Sequence, residues 1–394
     1  MYRHLFKLIW NKRKQNILFL SEIFISFLVV FAVFSMLVFY YFNYIRPAGF
    51  SYNKVWNVSY SNPLKTKDKD TLATFYGQVK AKIASLPEIK HVSYTSANFP
   101  YSNSMSTSGF DYKGKNYDRV NHFTMDEDYD KVMSINLMEG RWFKKEDGIL
   151  RNNFAVINST LKKEMFGDES AIGAYLGNEK DENRTKIIGV VEDIKSNGDF
   201  WPAGRGMFKL SDSSSFEWYG NILIKVSNDA DAAFESKLSK ILAGTIPNSN
   251  IEISHLSDLR KGKNGSTIIP MVIFIIIAGF LIINVALGLF GVLWYNINQR
   301  KGEIGLRRAI GATGVSVSGQ LVAESMILAT LSIVLGAFFA IQLPLLNVFN
   351  VPANVYLTAL LISVLFIYLL VILCSLYPGK QAAAIHPAIA LHED

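Results

Sequence analysis

Residues 268–295 read IIPMVIFIIIAGFLIINVALGLFGVLWY, a stretch without a single charged side chain. A helix needs about 20 mainly apolar residues to cross the hydrocarbon core of a bilayer. This stretch exceeds that length, so it predicts a membrane-spanning helix. The other apolar runs of the chain can be judged by the same requirement.

Three further runs satisfy it. The first is too long for the apolar core of a signal peptide, and its end at Tyr40-Tyr41-Phe42 offers no small-residue cleavage site. A break rich in Pro and Asn, residues 344–354, separates the last two runs and predicts a short outer loop at 348–353. The predicted membrane helices are 17–42, 268–295, 324–347 and 354–377.

The basic residues predict the orientation of these helices. Residues 1–16 contain several Lys and Arg and no acid, and residues 296–323 are also mainly basic. Such segments lie on the cytoplasmic side. We therefore expect an amphipathic helix at 1–16, the connecting segment 296–323 and the tail 378–394 in the cytoplasm, with 43–267 outside. Acidic and basic residues nearly balance in 43–267, so most of the net charge of +7 lies elsewhere.

The segment 43–267 predicts an α+β domain. Two strand–helix–strand patterns flank a middle part, 98–217, that is rich in Gly, Ser, Asn and Asp and contains strand patterns at Phe154–Ile157 and Lys186–Val191. We predict this part to be an inserted, β-rich subdomain, and Asp229 to cap the later flanking helix. The flanking patterns are Val55–Tyr60, Leu72–Leu86 and Ile89–Thr95, then Asn221–Val226, Ala230–Leu242 and Ile251–Ser254.

Several kinds of chemistry have no sequence signal. The sequence contains no P-loop, H-E-x-x-H, C-x-x-C or G-x-S-x-G pattern. The histidines lack metal-ligand spacing, and His122, near Asp126, is expected in a solvated turn. Cys374, the single cysteine, is predicted to be a packing residue of the fourth helix. We therefore expect no enzymatic activity, metal or cofactor in this chain, and no nucleic-acid binding because the basic residues are dispersed.

Two long stretches of the membrane segments lack charged residues, whereas the first run contains Glu22 near its start. Neither 268–295 nor 325–379 contains Asp, Glu, Lys, Arg or His. Proton- and ion-coupled transporters keep such residues at membrane depth because their function requires them. If the chain moves a substrate, the energy must come from another source.

Two short patterns indicate contacts. Residues 296–314 read NINQRKGEIGLRRAIGATG, in which Glu303 and Arg307 have the spacing of a helical ion pair and Ile304, Leu306 and Ile310 form an apolar contact set. A basic amphipathic turn on anionic lipid is the alternative interpretation. On the third membrane helix, Ser332, Gly336 and Ala340 follow each other at four-residue spacing. Such residues allow close helix packing, although small residues are common in any membrane helix.

The order of residues in this segment resembles the coupling segment of FtsX-domain permeases, the MacB/LolC/LolE/FtsX group of ABC transporters. Arg300 and the run Glu303–Ala312 match the group's pattern in order, and Glu324 matches the acid at the start of the next helix. The ending Leu376–Leu391 and, outside the membrane, motifs such as Gly140–Phe143 look like the same group and its MacB-type periplasmic core domain.

The resemblance implies a four-helix membrane bundle with a large extracytoplasmic α+β domain, made of a porter-like part and an inserted β-rich part. It implies partners: a separate ABC ATPase dimer that binds ATP and Mg²⁺, a second permease copy, the bilayer of a bacterial inner membrane, and a periplasmic adaptor or effector. We expect the ATPase on another chain because no ATPase pattern precedes the first helix. Among the coupling residues, Glu303, Arg307 and Arg308 are expected to make the polar contacts. The implied ATPase-coupling residues are Arg300, Glu303, Ile304, Gly305, Leu306, Arg307, Arg308, Ile310 and Gly311.

Two functions remain open on the sequence. The first is a permease that passes ATP-driven motion to its periplasmic domain for export, extraction or signalling. The second is a membrane-anchored periplasmic receptor or scaffold without substrate transport. The substrate, whether drug, peptide or lipoprotein, has no readable signature.

Overall fold

The computed structural model describes residues 13–61, 68–149, 153–177, 184–211, 220–246 and 248–384. Residues 1–12 of the predicted N-terminal helix and 385–394 of the predicted tail lie outside these ranges. The helices are α1 (Arg13–Tyr44), α2 (Lys69–Ala84), α3 (Tyr129–Met133), α4 (Lys145–Ile149), α5 (Ser159–Phe166), α6 (Ala232–Thr245), α7 (Leu256–Gln299), α8 (Lys301–Ala309), α9 (Gly314–Leu345) and α10 (Ala353–Ala383).

The strands all belong to one domain. They are β1 (Val55–Ser59), β2 (Ile89–Thr95), β3 (Thr107–Tyr112), β4 (Lys115–Met125), β5 (Leu137–Gly140), β6 (Phe154–Asn158), β7 (Tyr175–Leu176), β8 (Thr185–Val191), β9 (Gly206–Leu210), β10 (Asn221–Val226) and β11 (Glu252–His255).

The chain divides into a helical unit, Met1–Phe42 with Ile268–Asp394, and an α/β domain, Asn43–Thr267. Four helices, α1, α7, α9 and α10, are long and apolar enough to cross a membrane. The prediction of four membrane helices with one large α/β domain is thus confirmed.

Two membrane helices begin earlier than hydropathy predicts. Helix α7 starts at Leu256 and not at Ile268, and α9 starts at Gly314 and not at residue 324. The first turns of these two helices are polar, so hydropathy does not detect them. The hydrogen bonds at a helix start identify such turns instead. At α9, the Thr313 hydroxyl accepts a hydrogen bond from the Ser316 amide at 3.3 Å. The predicted connecting segment 296–323 is therefore mostly helical.

Large apolar side chains fill the core of the helical unit. Helices α1, α9 and α10 contribute most of it, whereas α7 leaves residues such as Ile276 and Phe280 exposed. A helix that is apolar all round is typical of a lipid environment. Fully buried core members include Phe19, Ile23, Phe27, Ala329, Ala359 and Ile367.

The domain is built on a single eleven-stranded sheet. Its order is β11-β1-β10-β2-β4-β9-β6-β8-β5, with β3 on β4 and β7 on β8. The two predicted strand–helix–strand patterns share one hydrophobic core, in which Tyr76 of α2 and Leu238 of α6 pack with Trp56 and Ile224 of the strands. The predicted cap Asp229 is wrong. Helix α6 begins at Ala232, so Asp231 is the residue whose carboxylate accepts a hydrogen bond from the Phe234 amide, at 2.9 Å.

The inserted part is rich in strands, as predicted, and also contains short helices. It contains β3 to β9, with parallel pairing of β4 to β9 and of β6 to β8, and it also contains α3, α4 and α5. His122 lies in β4 and not in a solvated turn, with its Nε2 atom 2.6 Å from the Ser108 hydroxyl. Among the described residues, no group of three or more His, Cys, Asp or Glu side chains is arranged to hold a metal ion.

A polar network joins the inserted part to the rest of the domain. The backbone register between β2 and β4 is the single pair Thr95 and Met125. Beside it, the buried Asp126 carboxylate accepts hydrogen bonds from the Ser93 hydroxyl (2.6 Å) and Lys80 Nζ (2.7 Å). Burial lowers the pKa of Lys80, but the charges of Asp126 and Asp128 raise it more, so the ammonium group stays charged.

Replacing Lys80 by Met should leave the Asp126 carboxylate buried without its cation. We expect this to cost about 2–3 kcal/mol of domain stability, because removing one partner of a buried pair is far costlier than the pair is worth. The measurement is thermal unfolding of the full chain in detergent, followed by tryptophan fluorescence. Lys131→Met is the control, since Lys131 binds Asp128 from an exposed position and should cost less than about 1 kcal/mol. Equal losses in the two variants would contradict the role given to Asp126.

Candidate functional site

Helix α8 is a short helix between α7 and α9, and we call it the step. Its last turn closes with hydrogen bonds from the Ile310 amide to the Leu306 carbonyl (3.1 Å) and from the Gly311 amide to the Arg308 carbonyl (3.2 Å). Gly311 then adopts φ +101°, a conformation that residues with a Cβ rarely take. This glycine lets the chain reverse into Thr313, which caps α9.

Five side chains form a closed ring on this step. Arg300 donates to Glu303 (3.1 Å) and to Glu324 (2.7 Å). Arg307 donates to Glu303 (2.6 Å) and to Gln320 (2.7 Å). The ring closes where the Gln320 amide donates to Glu324 at 2.9 Å. We call these five residues the coupling ring; it ties the step to the first turns of α9.

The coupling ring carries two positive and two negative charges. Burial lowers the pKa of Arg300, but its hydrogen bonds with Glu303 and Glu324 more than offset this, so the pKa is raised. The guanidinium group is therefore charged at any physiological pH. Glu303 and Arg307 form hydrogen bonds within the chain that hold the step in place, and their contact with a partner stays a prediction.

The apolar residues of α8 separate into two faces. Ile304 is buried and packs with Ile297 of α7, Val317 of α9 and Ala382 of α10. Leu306 and Ile310 are instead 54% and 79% exposed. The three residues predicted as one contact set therefore have different surroundings.

The remaining coupling residues lie beside these faces. Gly305 is buried next to Ile304. Arg308 Nη1 donates to the Ala312 carbonyl at 3.3 Å, and Arg308 Nε is buried without a hydrogen-bond partner in the described part of the chain. Val315, just after the turn, is 84% exposed. We call Leu306, Ile310 and Val315 the outward patch.

The small residues of α9 lie against α1. The Ser332 hydroxyl donates to the Leu20 carbonyl at 2.9 Å. A Cβ atom at Gly336 would lie 2.4 Å from Cδ1 of Phe27, and Ala340 is also buried. The helix backbones therefore approach each other closely at this stripe.

Two known families match the chain. Residues 275–387 match the family model of the FtsX-like permease C-terminal region, and residues 23–241 match that of the MacB-like periplasmic core domain. The second match covers more than half of the chain. The chain belongs to the MacB-like permease family. It is a membrane protein of the ABC transporter permeases with an extracytoplasmic domain.

Individual relatives of this MacB-like permease are distant. It is 24% identical over 279 residues to the macrolide export ATP-binding/permease protein MacB of Bdellovibrio bacteriovorus, covering 67% of this chain and 42% of that protein. It is 23% identical over 283 residues to the uncharacterized ABC transporter permease YknZ of Bacillus subtilis, covering 68% of each.

The chain spans about two fifths of the length of the MacB relatives it matches. Among solved structures, the periplasmic region of MacB from Actinobacillus actinomycetemcomitans aligns with 54% of this chain and 92% of its own, at 17% identity and a TM-score of 0.38.

Sequence reasoning missed two residues of this site. Gln320 closes the coupling ring, and its position four residues before Glu324 on one helix was a signal for a polar pair. Val315 is the third residue of the outward patch. Its exposure follows from the turn at Gly311, and no pattern in the sequence indicates it.

Two glycines of α9 allow a matched test of the close packing between α9 and α1. Gly336→Ala should destabilise the helical unit by about 1–3 kcal/mol, because the new Cβ atom meets the ring of Phe27, which is fully buried and has no room to move. Gly319→Ala places its Cβ atom in open space and should stabilise α9 slightly. Thermal unfolding of both variants in the same detergent checks this, and equal melting temperatures would contradict it.

Proposed function

We propose that the chain is the permease subunit of an ABC transporter and passes the ATP-driven motion of a separate ATPase dimer to its extracytoplasmic domain, for export, extraction or signalling. In this proposal, the step at α8 and both chain ends face the cytoplasm of a bacterium, and Asn43–Thr267 lies beyond the inner membrane. The observation that carries the proposal is the outward patch, three large apolar side chains exposed on the step and at the start of α9, which the coupling ring joins.

The outward patch has the properties of a protein contact. Exposed large apolar side chains that cluster on one face are typical of interaction sites. Leu306 and Ile310 are four residues apart, so both point to one side of α8. The coupling ring fixes their direction in advance, which lowers the entropy that a partner must remove on binding.

The other partners follow from the same assignment. The ATPase dimer would bind ATP and Mg²⁺, and this chain would contribute no ligand to either. The uncharged stretches support an energy source outside them, since neither 268–295 nor 325–379 contains an Asp, Glu, Lys, Arg or His that could bind a coupled proton or ion. A second permease copy and a periplasmic adaptor or effector complete the proposed assembly.

Stimulation of the ATPase tests the proposal directly. The full chain is reconstituted in liposomes with a candidate ABC ATPase subunit from the same organism, and ATP hydrolysis is measured with and without the permease. Replacing Leu306 and Ile310 by Ser should reduce the stimulation at least about tenfold, because each lost apolar contact is worth roughly 1.5 kcal/mol and about 1.4 kcal/mol is a factor of ten in affinity.

The matched control replaces Leu345 and Leu346, which are similarly exposed but lie at the end of α9, by Ser. This variant should stimulate the ATPase as the wild type does. Full stimulation by the Leu306/Ile310 variant would overturn the role of the outward patch. A wild-type chain that stimulates no ATPase would favour the receptor or scaffold function instead.

A further inference from the structure

A buried lysine closes the end of α1. Lys195 is 3% exposed, and its ammonium group donates to the carbonyls of Asn43, Arg46 (2.6 Å) and Asp199 (3.3 Å). The carbonyls at the end of a helix lack partners within the helix, and a positive charge there is favoured by the helix dipole. All three N–H bonds of the lysine are therefore used, and two of them hold residues 43–46.

A buried aspartate four residues later holds the start of α7. Asp199 accepts a hydrogen bond from Nε of Arg260 at 3.2 Å and forms an ion pair with Nη2 of the same guanidinium group at 2.5 Å. The same carboxylate accepts one from the Asn264 amide at 2.7 Å, and the Asp199 backbone amide donates to the Asn264 side chain at 2.9 Å. Gly198 makes this approach feasible, since a Cβ atom there would lie 2.9 Å from the Asn264 oxygen.

The contacts of this loop on α7 fall on one helical face. Arg260, Asn264 and Thr267 follow the spacing i, i+4, i+7, and the indole N–H of Trp201 donates to the Thr267 hydroxyl at 3.0 Å. On the α1 side, Phe200 stacks on Tyr44 with ring centroids 5.3 Å apart. A single loop, residues 195–201, thus contacts the ends of both helices that continue into membrane segments.

We propose that residues 195–201 form a clasp that holds residues 43–46 and residues 260–267 together as one mechanical unit. The clasp exists whether or not an ATPase acts on the chain. Its role in passing motion to the inserted part of the domain, to which the loop is joined through β8, rests on the proposed function.

The buried charges of the clasp fix its geometry but add little to its stability. Burial lowers the pKa of Lys195, and the nearby charge of Asp199 opposes this shift. Buried charges cost desolvation energy, so they are stable only while every partner stays in place. Displacing either helix end therefore strains the whole set of contacts.

If the clasp links the two helix ends, a substitution that disrupts one end should also speed hydrogen exchange at the other. Hydrogen exchange is measured on the full chain without any ATPase. Asp199→Asn should speed exchange about tenfold at residues 260–267, where its partners lie, and about threefold at residues 43–46. Lys195→Met should show the reverse order, with the larger effect at 43–46.

The control is Asp147→Asn, which removes an equivalent pair. Asp147 binds Arg141 through two hydrogen bonds of 2.5 and 2.8 Å, and its side chain is 7% exposed, as is that of Asp199. This variant should change exchange around residues 141–149 and leave both helix ends unaffected. Exchange changes confined to the directly contacted end in both clasp variants would overturn the clasp.

A second arm adds the partner ATPase and ATP. In the wild type and in Asp147→Asn, ATP should change exchange in β8, and in Asp199→Asn this response should fall at least about fivefold. A full response in Asp199→Asn would overturn the transmitting role of the clasp. A wild type without any response would contradict the proposed function, while the first arm would still decide whether the clasp exists.

Discussion

The lack of ionisable side chains between 268 and 295 and between 325 and 379 constrains the whole structure. A charge at membrane depth costs several kcal/mol, so the ion pairs that fix helix positions lie near the helix ends. Helix α7 shows this at both of its ends. Asp199 binds Arg260 near its start, and Glu303 and Glu324 bind Arg300 directly after its last residue.

These two networks have a common design. Each pairs arginine with carboxylate, one of each in the clasp and two of each in the coupling ring, and adds a side-chain amide, Asn264 in the clasp and Gln320 in the coupling ring. Such networks add little net stability, because desolvation offsets the attraction between the charges. They do define one geometry, and that suits a helix proposed to carry displacement from one end to the other.

Much of the fold followed from local sequence patterns, and the rest depended on distant partners. Apolar length predicted the four membrane helices, and the spacing of Glu303 and Arg307 predicted their ion pair. The early start of α7 at Leu256 was missed because its polar turns are stabilised by contacts of Arg260 and Asn264 with a loop distant in sequence. Lys195 has no motif around it, so only the fold shows that it holds the end of α1.

The central claim is that the outward patch contacts an ATPase, and crosslinking tests it most directly. A photoreactive amino acid is placed at Ile310, which is 79% exposed, and at Phe338 of α9, which is 61% exposed within a membrane helix. After illumination of membranes that contain both proteins, the account predicts an adduct with the ATPase from position 310 and none from position 338. Crosslinks from position 310 to lipid alone would contradict it.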